Sequence, residues 1–300
     1  MESPVIAHDR RMLSLTLPNA FLERVGGGML WAEGPVYFPQ GDYFLWSDIP
    51  NNRVFQWIAG REPRVFDHAS NNANGHTRDR EGRLVSCEHL TRRVTRREHD
   101  GSITVIADSH AGRRLNSPND VVVKSDGTIW FTDPPYGILS DYEGRKAPQE
   151  QDACHVFRCD GPGAEPVAVA SDFEKPNGLA FSPDERRLYV SDTGLSHDPD
   201  GAHHIRVFEV GEDNSLSGGE VFAVIEAGVS DGFRCDTEGN VWTSAATGVL
   251  VYSPEAELLG EIRVPEVVSN LCFGGPKGNR LLITATTSAY SIHVAAKGAA

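Results

Sequence analysis

Five cysteines stand in 300 residues, and no two of them have Cys-x-x-Cys spacing. That excludes the usual structural zinc sites and any disulfide framework. The thiols read as buried and free, although Cys154 and Cys159 could form a disulfide. Basic residues are also scarce: 28 Lys and Arg face 42 Asp and Glu, a net charge of −14. A surface that neutralises phosphates needs clustered cations, so nucleic acid is excluded as a partner. The one dense basic run, RRVTRR at 92–97, reads as a strand with a solvated face. No apolar run is long enough for a membrane-spanning helix. The opening MESPVIAHDRRMLSL lacks the basic-then-apolar order of a signal peptide. A cytoplasmic protein is expected, or a periplasmic one if a leader has been trimmed. There is no Gly-x-Ser-x-Gly motif, which argues against a serine nucleophile.

What the chain has in quantity is turns and short apolar runs. Thirty glycines and 18 prolines suit an all-β chain. Six segments repeat one pattern. They are EGPVYFPQGDYFLWSD from Glu33, NGHTRDREGRLVSCEH from Asn74, NDVVVKSDGTIWFTDP from Asn119, NGLAFSPDERRLYVSD from Asn177, DGFRCDTEGNVWTSAA from Asp231 and NLCFGGPKGNRLLITA from Asn270. Each holds a strand, a polar turn and a second strand, and further β-rich stretches follow most of them. Six such units without helical periodicity predict an all-β, six-bladed β-propeller with four antiparallel strands per blade. The sixth unit runs out of chain after its third strand, and FLERVGG at 21–27 can supply the fourth. Residues 1–300 then form one domain, with 1–20 as an N-terminal extension. Two units carry long insertions, 134–153 and 193–204, which are candidates for lids or binding loops.

In a propeller the first strand of each blade lines the central channel, so the six opening residues face one another. Glu33, Asn74, Asn119, Asn177, Asp231 and Asn270 all carry side-chain oxygens, and two are carboxylates. Such a ring suits a hard divalent cation, Ca2+ above all. Mg2+, Mn2+ or Zn2+ are alternatives, zinc the poorest fit to an oxygen set. If the first strand leaves that face, the second returns to it. The ends of the second strands therefore bring Asp48, His89, Asp133 and Asp192, with Tyr136 just beyond, to the same mouth as candidate substrate contacts. Any of these can instead cap a local turn. His203 and His204 read as exposed loop residues.

In combination, EGP at 33–35, NSPNDVVVKSDGTIWFTDPPYGI at 116–138, KPNGLAFSPDERRLYVSDTG at 175–194 and DG at 231–232 resemble the gluconolactonase and regucalcin family, from about Trp31 to His293. The order of segments, with CEH and NLCFGG, is most similar to bacterial gluconolactonases. The resemblance implies a sugar-lactone hydrolase with one divalent ion. Glu33, Asn119, Asn177 and Asp231 match the family's metal ligands, and Asp231 its proposed acid/base. Animal members carry an arginine two positions before the first metal asparagine; here that position is Ser117. The bacterial pattern instead implies Asn74, His89, Asp133 and Tyr136 near the substrate; Asn119 and Asn177 are expected to hold the ion and to steer the substrate as well.

The expected chemistry is opening of an aldonolactone to the aldonic acid, with Asp231 as general base and His89 able to share the proton transfer. Two other readings use the same residues: a phosphotriesterase on the same scaffold, and a calcium-binding propeller without turnover. A homodimer through the 134–153 loop is a further expectation.

Overall fold

The computed structural model describes residues 3–299. Six antiparallel sheets of the propeller follow one another along the chain. Their innermost strands are Ala32–Phe38, Ala73–Arg78, Val121–Val123, Pro176–Phe181, Phe233–Cys235 and Val268–Gly274. Each of these strands touches the innermost strands of the blades on either side, which closes the ring around a channel.

The last blade is completed by the first long strand of the chain. Glu23–Gly27 pairs antiparallel with Ser288–His293, Glu23 opposite Ser291 and Gly27 opposite Ser288. This is the closure read from FLERVGG, and it leaves the sixth blade with four strands.

Burial is organised between blades. Trp46, Trp130 and Trp242 all lie on second strands and are wholly buried. Trp46 of the first blade packs with Leu282 and Ala289 of the last. Trp130 of the third packs against Leu179, Leu188 and Phe208 of the fourth. Trp242 of the fifth meets Leu271, Ile283 and Tyr290 of the sixth. Six such clusters fill the six interfaces, so the apolar core is itself a ring. Packing of this kind, at ~25 cal/mol per Å² of apolar surface buried, holds each blade to its neighbours and leaves the axis to polar groups.

The N-terminal extension is more structured than its sequence suggested. Val5–Ala7 adds a fifth strand to the outer edge of the fifth blade, pairing with Gly260–Ile262. The short helix Arg11–Leu15 then buries Met12 and Leu15 in the cluster between the fifth and sixth blades. A three-residue strand and a five-residue helix are too short for periodicity to reveal. Covering that edge removes a row of unpaired backbone groups.

Two further expectations meet the structure here. All five cysteines are free, and Cys154 and Cys159 sit on one strand, Cys154–Cys159. The RRVTRR run does form a strand, Arg93–Arg97, but Arg92 is buried and not on a solvated face. Its Nε donates to the carbonyls of Leu115 (2.7 Å) and Asn116 (3.0 Å), anchoring the loop before Asn119.

Candidate active site

The repeated Ser/Thr-Asp dipeptide at the end of the second strands has a structural purpose that the sequence left open. The hydroxyl reaches to the next blade. Ser47 Oγ donates to the Asn74 carbonyl at 2.9 Å, Thr132 Oγ1 to Asn177 at 2.6 Å and Ser191 Oγ to Asp231 at 3.1 Å. The aspartate reaches back within its own blade. Asp48 Oδ1 accepts from the Leu30 N–H (3.0 Å), Asp133 Oδ2 from Asn116 (2.7 Å), and Asp192 from Glu174 and Lys175 (2.9 and 2.8 Å). Each dipeptide thus fixes the backbone of the next blade's opening residue and the turn two or three residues before its own.

The glycine after an opening residue serves the same close approach. A Cβ at Gly34 would lie 2.0 Å from the Asn74 carbonyl oxygen, and one at Gly178 would lie 2.3 Å from that of Asp231. Gly34 also has φ +57°, a conformation that glycine adopts at no steric cost. Adjacent opening residues are therefore drawn together until only glycine fits.

The result is one cavity of about 490 Å³ at this end of the channel. Glu33, Asn74, Asn119, Tyr136, Asn177 and Asp231 all line it. His89 and Asp133 do not; both are wholly buried behind its wall. Asp133 holds the Asn116 turn, and its burial pushes the carboxyl up to about 7. Asp48 and Asp192 likewise serve turns and lie outside the lining. His203 donates to the Ile225 carbonyl at 3.0 Å and is outside it too.

Asn270, the sixth opening residue, is a buried support. Its Nδ2 donates to Glu33 Oε2 at 3.1 Å. The Gly34 N–H donates to the same oxygen. Glu33 Oε1 is buried with no partner among the described residues, and so is Asn74 Oδ1.

The electrostatics are those of negative groups crowded without compensation. Burial raises the Glu33 carboxyl well above its usual range, and Asp231 and Asp120 raise it further. Asp231 is pushed up to about 8, first by burial and then by Glu143 and Asp120, while a hydrogen bond from Asn177 acts the other way. Deeper in the channel Asp120 has a counter-ion, Arg234, at 3.3 Å. Among the described residues no cluster of three or more His, Cys, Asp and Glu side chains is placed for a metal ion. The candidate set is two carboxylates with amides between them.

The two insertions roof this cavity together. Tyr136 Oη bonds Thr193 Oγ1 at 2.6 Å and Ser196 Oγ at 2.8 Å, joining the third-blade loop to the fourth. Burial raises the Tyr136 phenol, so it stays protonated. The roof also carries Glu143, which sequence reasoning did not single out. It lines the cavity, and burial pushes its carboxyl up to about 7. The length of the 134–153 insertion marked the loop, but nothing local marked which of its acids turns inward. Thr193 and His197, in the 193–204 insertion, were missed as lining residues for the same reason, and Trp31, just before Glu33, was missed as well.

Known proteins of this kind agree along nearly the whole chain. Residues 31–287 match the model of the SMP-30/Gluconolactonase/LRE-like region. A gluconolactonase of Zymomonas mobilis is 30% identical over 290 residues, spanning 88% of this chain and 79% of that protein. A solved gluconolactonase of Xanthomonas campestris is 35% identical and superposes with a TM-score of 0.90 over 97% of this chain and 95% of that one. A regucalcin of Agrobacterium tumefaciens, described as a calcium-binding protein, shares the fold at 20% identity, with a TM-score of 0.74 over 92% and 95% of the two chains. The chain belongs to the SMP-30/gluconolactonase/LRE-like family.

Proposed function

We propose that this protein hydrolyses the internal ester of sugar lactones, in the manner of the gluconolactonases it resembles, with a divalent cation at the Glu33–Asn119–Asn177–Asp231 end of the channel. The observation that carries the reading is the convergence of the buried Glu33 carboxylate and the partly buried Asp231 carboxylate that repels it on a cavity lined by amides, with Glu33 Oε1 left without a partner. A buried carboxylate oxygen with nothing to bond is costly. A hard cation offsets that cost, and oxygen donors of mixed charge suit Ca2+ best. Family membership supplies the reaction class, since relatives named gluconolactonase and pentonolactonase cover most of this chain.

When bound, the ion supplies Lewis-acid polarisation of the lactone carbonyl. The chain's own residues supply the rest. Asn119 and Asn177 bring amide groups to the cavity without adding charge. Asp231 is the general base: it takes a proton from the attacking water as that oxygen bonds to the carbonyl carbon. The bond from that carbon to the ring oxygen then breaks, and the proton passes to the departing alkoxide. The lactone becomes a hydroxy acid with no other reactant than water. A cation beside Asp231 favours its ionised form, which suits the first step. Tyr136 and Glu143 face the bound sugar from the roof.

The test is turnover of glucono-1,5-lactone and pentonolactones by metal-stripped protein, followed with a pH indicator, with Ca2+, Mg2+, Mn2+ or Zn2+ added back singly. Rate restored by one of these ions supports the reading. A rate unchanged by stripping removes the ion, and no turnover by any form removes the lactonase assignment.

A further inference from the structure

His89 was expected at the substrate, yet the structure gives it another place. The ring is wholly buried behind the cavity wall, at the end of the second strand of the second blade. Both of its nitrogens are engaged. Nδ1 lies 3.2 Å from the backbone carbonyl oxygen of Glu143 in the 134–153 insertion. Nε2 lies 3.3 Å from Asn74 Nδ2.

The roles follow from the partners. A carbonyl oxygen only accepts, so Nδ1 carries the hydrogen. Nε2 of a neutral ring then has a lone pair and can only accept. It therefore takes a hydrogen from the Asn74 amide nitrogen. That choice turns the other end of the amide, Oδ1, away from His89; it is buried and has no partner, on a residue that lines the cavity. The reversed amide would set its oxygen against Nε2 and would require hydrogens on both ring nitrogens. That is an imidazolium with no exposure to water; the nearest carboxylate oxygen, Glu143 Oε2, is 4.0 Å from Nδ1. Burial opposes that form, holding the imidazole down at about 4.

The ring also seats the roof. A Cβ at Gly137 would fall 2.5 Å from His89 Cβ, so the helix Tyr136–Leu139 rests directly on the histidine. The Arg145 N–H donates to Gly137 O at 3.0 Å and the Ala147 N–H to Ile138 O at 3.1 Å, which ties the segment after Glu143 to that helix.

We propose that His89 is a positioning residue: it locks the Asn74 amide with its oxygen facing the cavity and couples that orientation to the seating of the 134–153 roof. The cavity then presents a hydrogen-bond acceptor at this point, which a hydroxyl of the substrate satisfies and a bare methylene does not. Only the identity of that hydroxyl donor rests on the lactonase reading; the tautomer and the roof contact do not.

The two arms separate by substitution. Asn at position 89 places an amide near the Nδ1 position and can still donate to Glu143 O. Gln places one near the Nε2 position and can still accept from Asn74. We expect H89N to keep the loop resistant to limited proteolysis but to raise KM for glucono-1,5-lactone roughly tenfold, the cost of a misoriented buried amide. Its turnover of δ-valerolactone, which has no hydroxyl, should be unchanged. H89Q should show the reverse: KM near the parent value and faster cleavage within 140–150. Equal loss of both properties in both variants, or of neither, overturns the coupling.

The lock itself is read without any substrate. Nitrogen-15 spectra of the parent protein should show the His89 ring with Nδ1 protonated and Nε2 bare, unchanged from pH 6 to 8, about the range in which a free histidine titrates. A ring protonated at Nε2, or one titrating across that range, overturns the proposal even if the protein proves to be an active lactonase. The expected tautomer in a protein without lactonase activity would leave the lock standing and remove the proposed reaction instead.

Discussion

Asn270 donates its side-chain amide to Glu33 Oε2 at 3.1 Å, across the seam where the last blade meets the first. With the Gly34 N–H on the same oxygen, Glu33 is held by one oxygen and offers the other. The carboxylate is thereby aimed before any ligand arrives, which lowers the reorganisation needed to bind one. The sixth opening residue thus acts at the site without lining it.

Glu33→Gln removes a charge that the protein alone does not compensate. Calcium affinity measured by titration calorimetry should fall at least tenfold, about 1.4 kcal/mol or more. The metal-stripped variant should melt no lower than stripped parent, because a buried carboxylate repelled by Asp231 and Asp120 has been neutralised. Unchanged calcium affinity would take Glu33 out of the ion site.

Asp231→Asn keeps the shape of the side chain and loses its basicity. Loss of the proposed general base should lower kcat roughly 10²- to 10⁴-fold with the far-ultraviolet spectrum unchanged. Parent-level turnover would assign the proton transfer elsewhere.

The crowded carboxylates give stripped protein a pH dependence of definite sign. Asp231 sits at about 8 when folded against an ordinary value of 3.8. Between those values the folded state binds more protons than the unfolded chain, so the contribution of Asp231 to stability falls as pH rises. Calcium at the proposed site would cancel that loss by favouring the ionised form. His89, held down at about 4, works oppositely at the acid end, in stripped and loaded protein alike. The Tm gap between calcium-loaded and chelated protein should therefore widen from about pH 5 to about pH 8. A gap that narrows over this range would contradict the site.

Asp192→Ala leaves the Glu174 and Lys175 N–H groups without their acceptor. We expect about 1–3 kcal/mol of lost stability in urea denaturation, from the unsatisfied groups. KM for the lactone should stay within about threefold of parent, since a turn-holding residue leaves substrate contacts in place. A large KM change with no loss of stability would return Asp192 to the substrate site.

Met12→Ala tests the N-terminal helix. Met12 is fully buried between the fifth and sixth blades and does not line the cavity. A cavity of this kind costs about 2–5 kcal/mol. Activity of the folded protein should not change; an unchanged Tm would mean that the helix does not hold these blades.

The propeller was legible because its signal repeats six times, and each unit supports the reading of the others. The opening oxygens were legible for the same reason: Glu33, Asn74, Asn119, Asn177 and Asp231 come to one cavity because each holds the same address in its blade. Asp133 ends its second strand and His89 lies one residue beyond the end of its own, yet they face the backbone and the roof. Strand-end position tells which mouth a residue approaches, not whether its side chain turns to the cavity or to a neighbouring N–H. Glu143 was invisible for the opposite reason: its place depends on how an irregular loop folds back onto His89 and Gly137. The strand Val5–Ala7 was hidden by its length.

The pairing of Glu23–Gly27 with Ser288–His293 has a consequence for how the protein is made. The first of these strands leaves the ribosome before any blade exists, and its partner is among the last segments to follow. Five sheets can form in order from neighbouring sequence, but the sixth must wait, with an apolar edge open to other chains. Because Glu33 meets Asn270 only when that seam shuts, a nascent chain cannot aim the Glu33 carboxylate early. If the proposed cation site is correct, capture of the ion and latching of the ring become one late event, and calcium present during refolding would act chiefly on the step that removes the sticky intermediate.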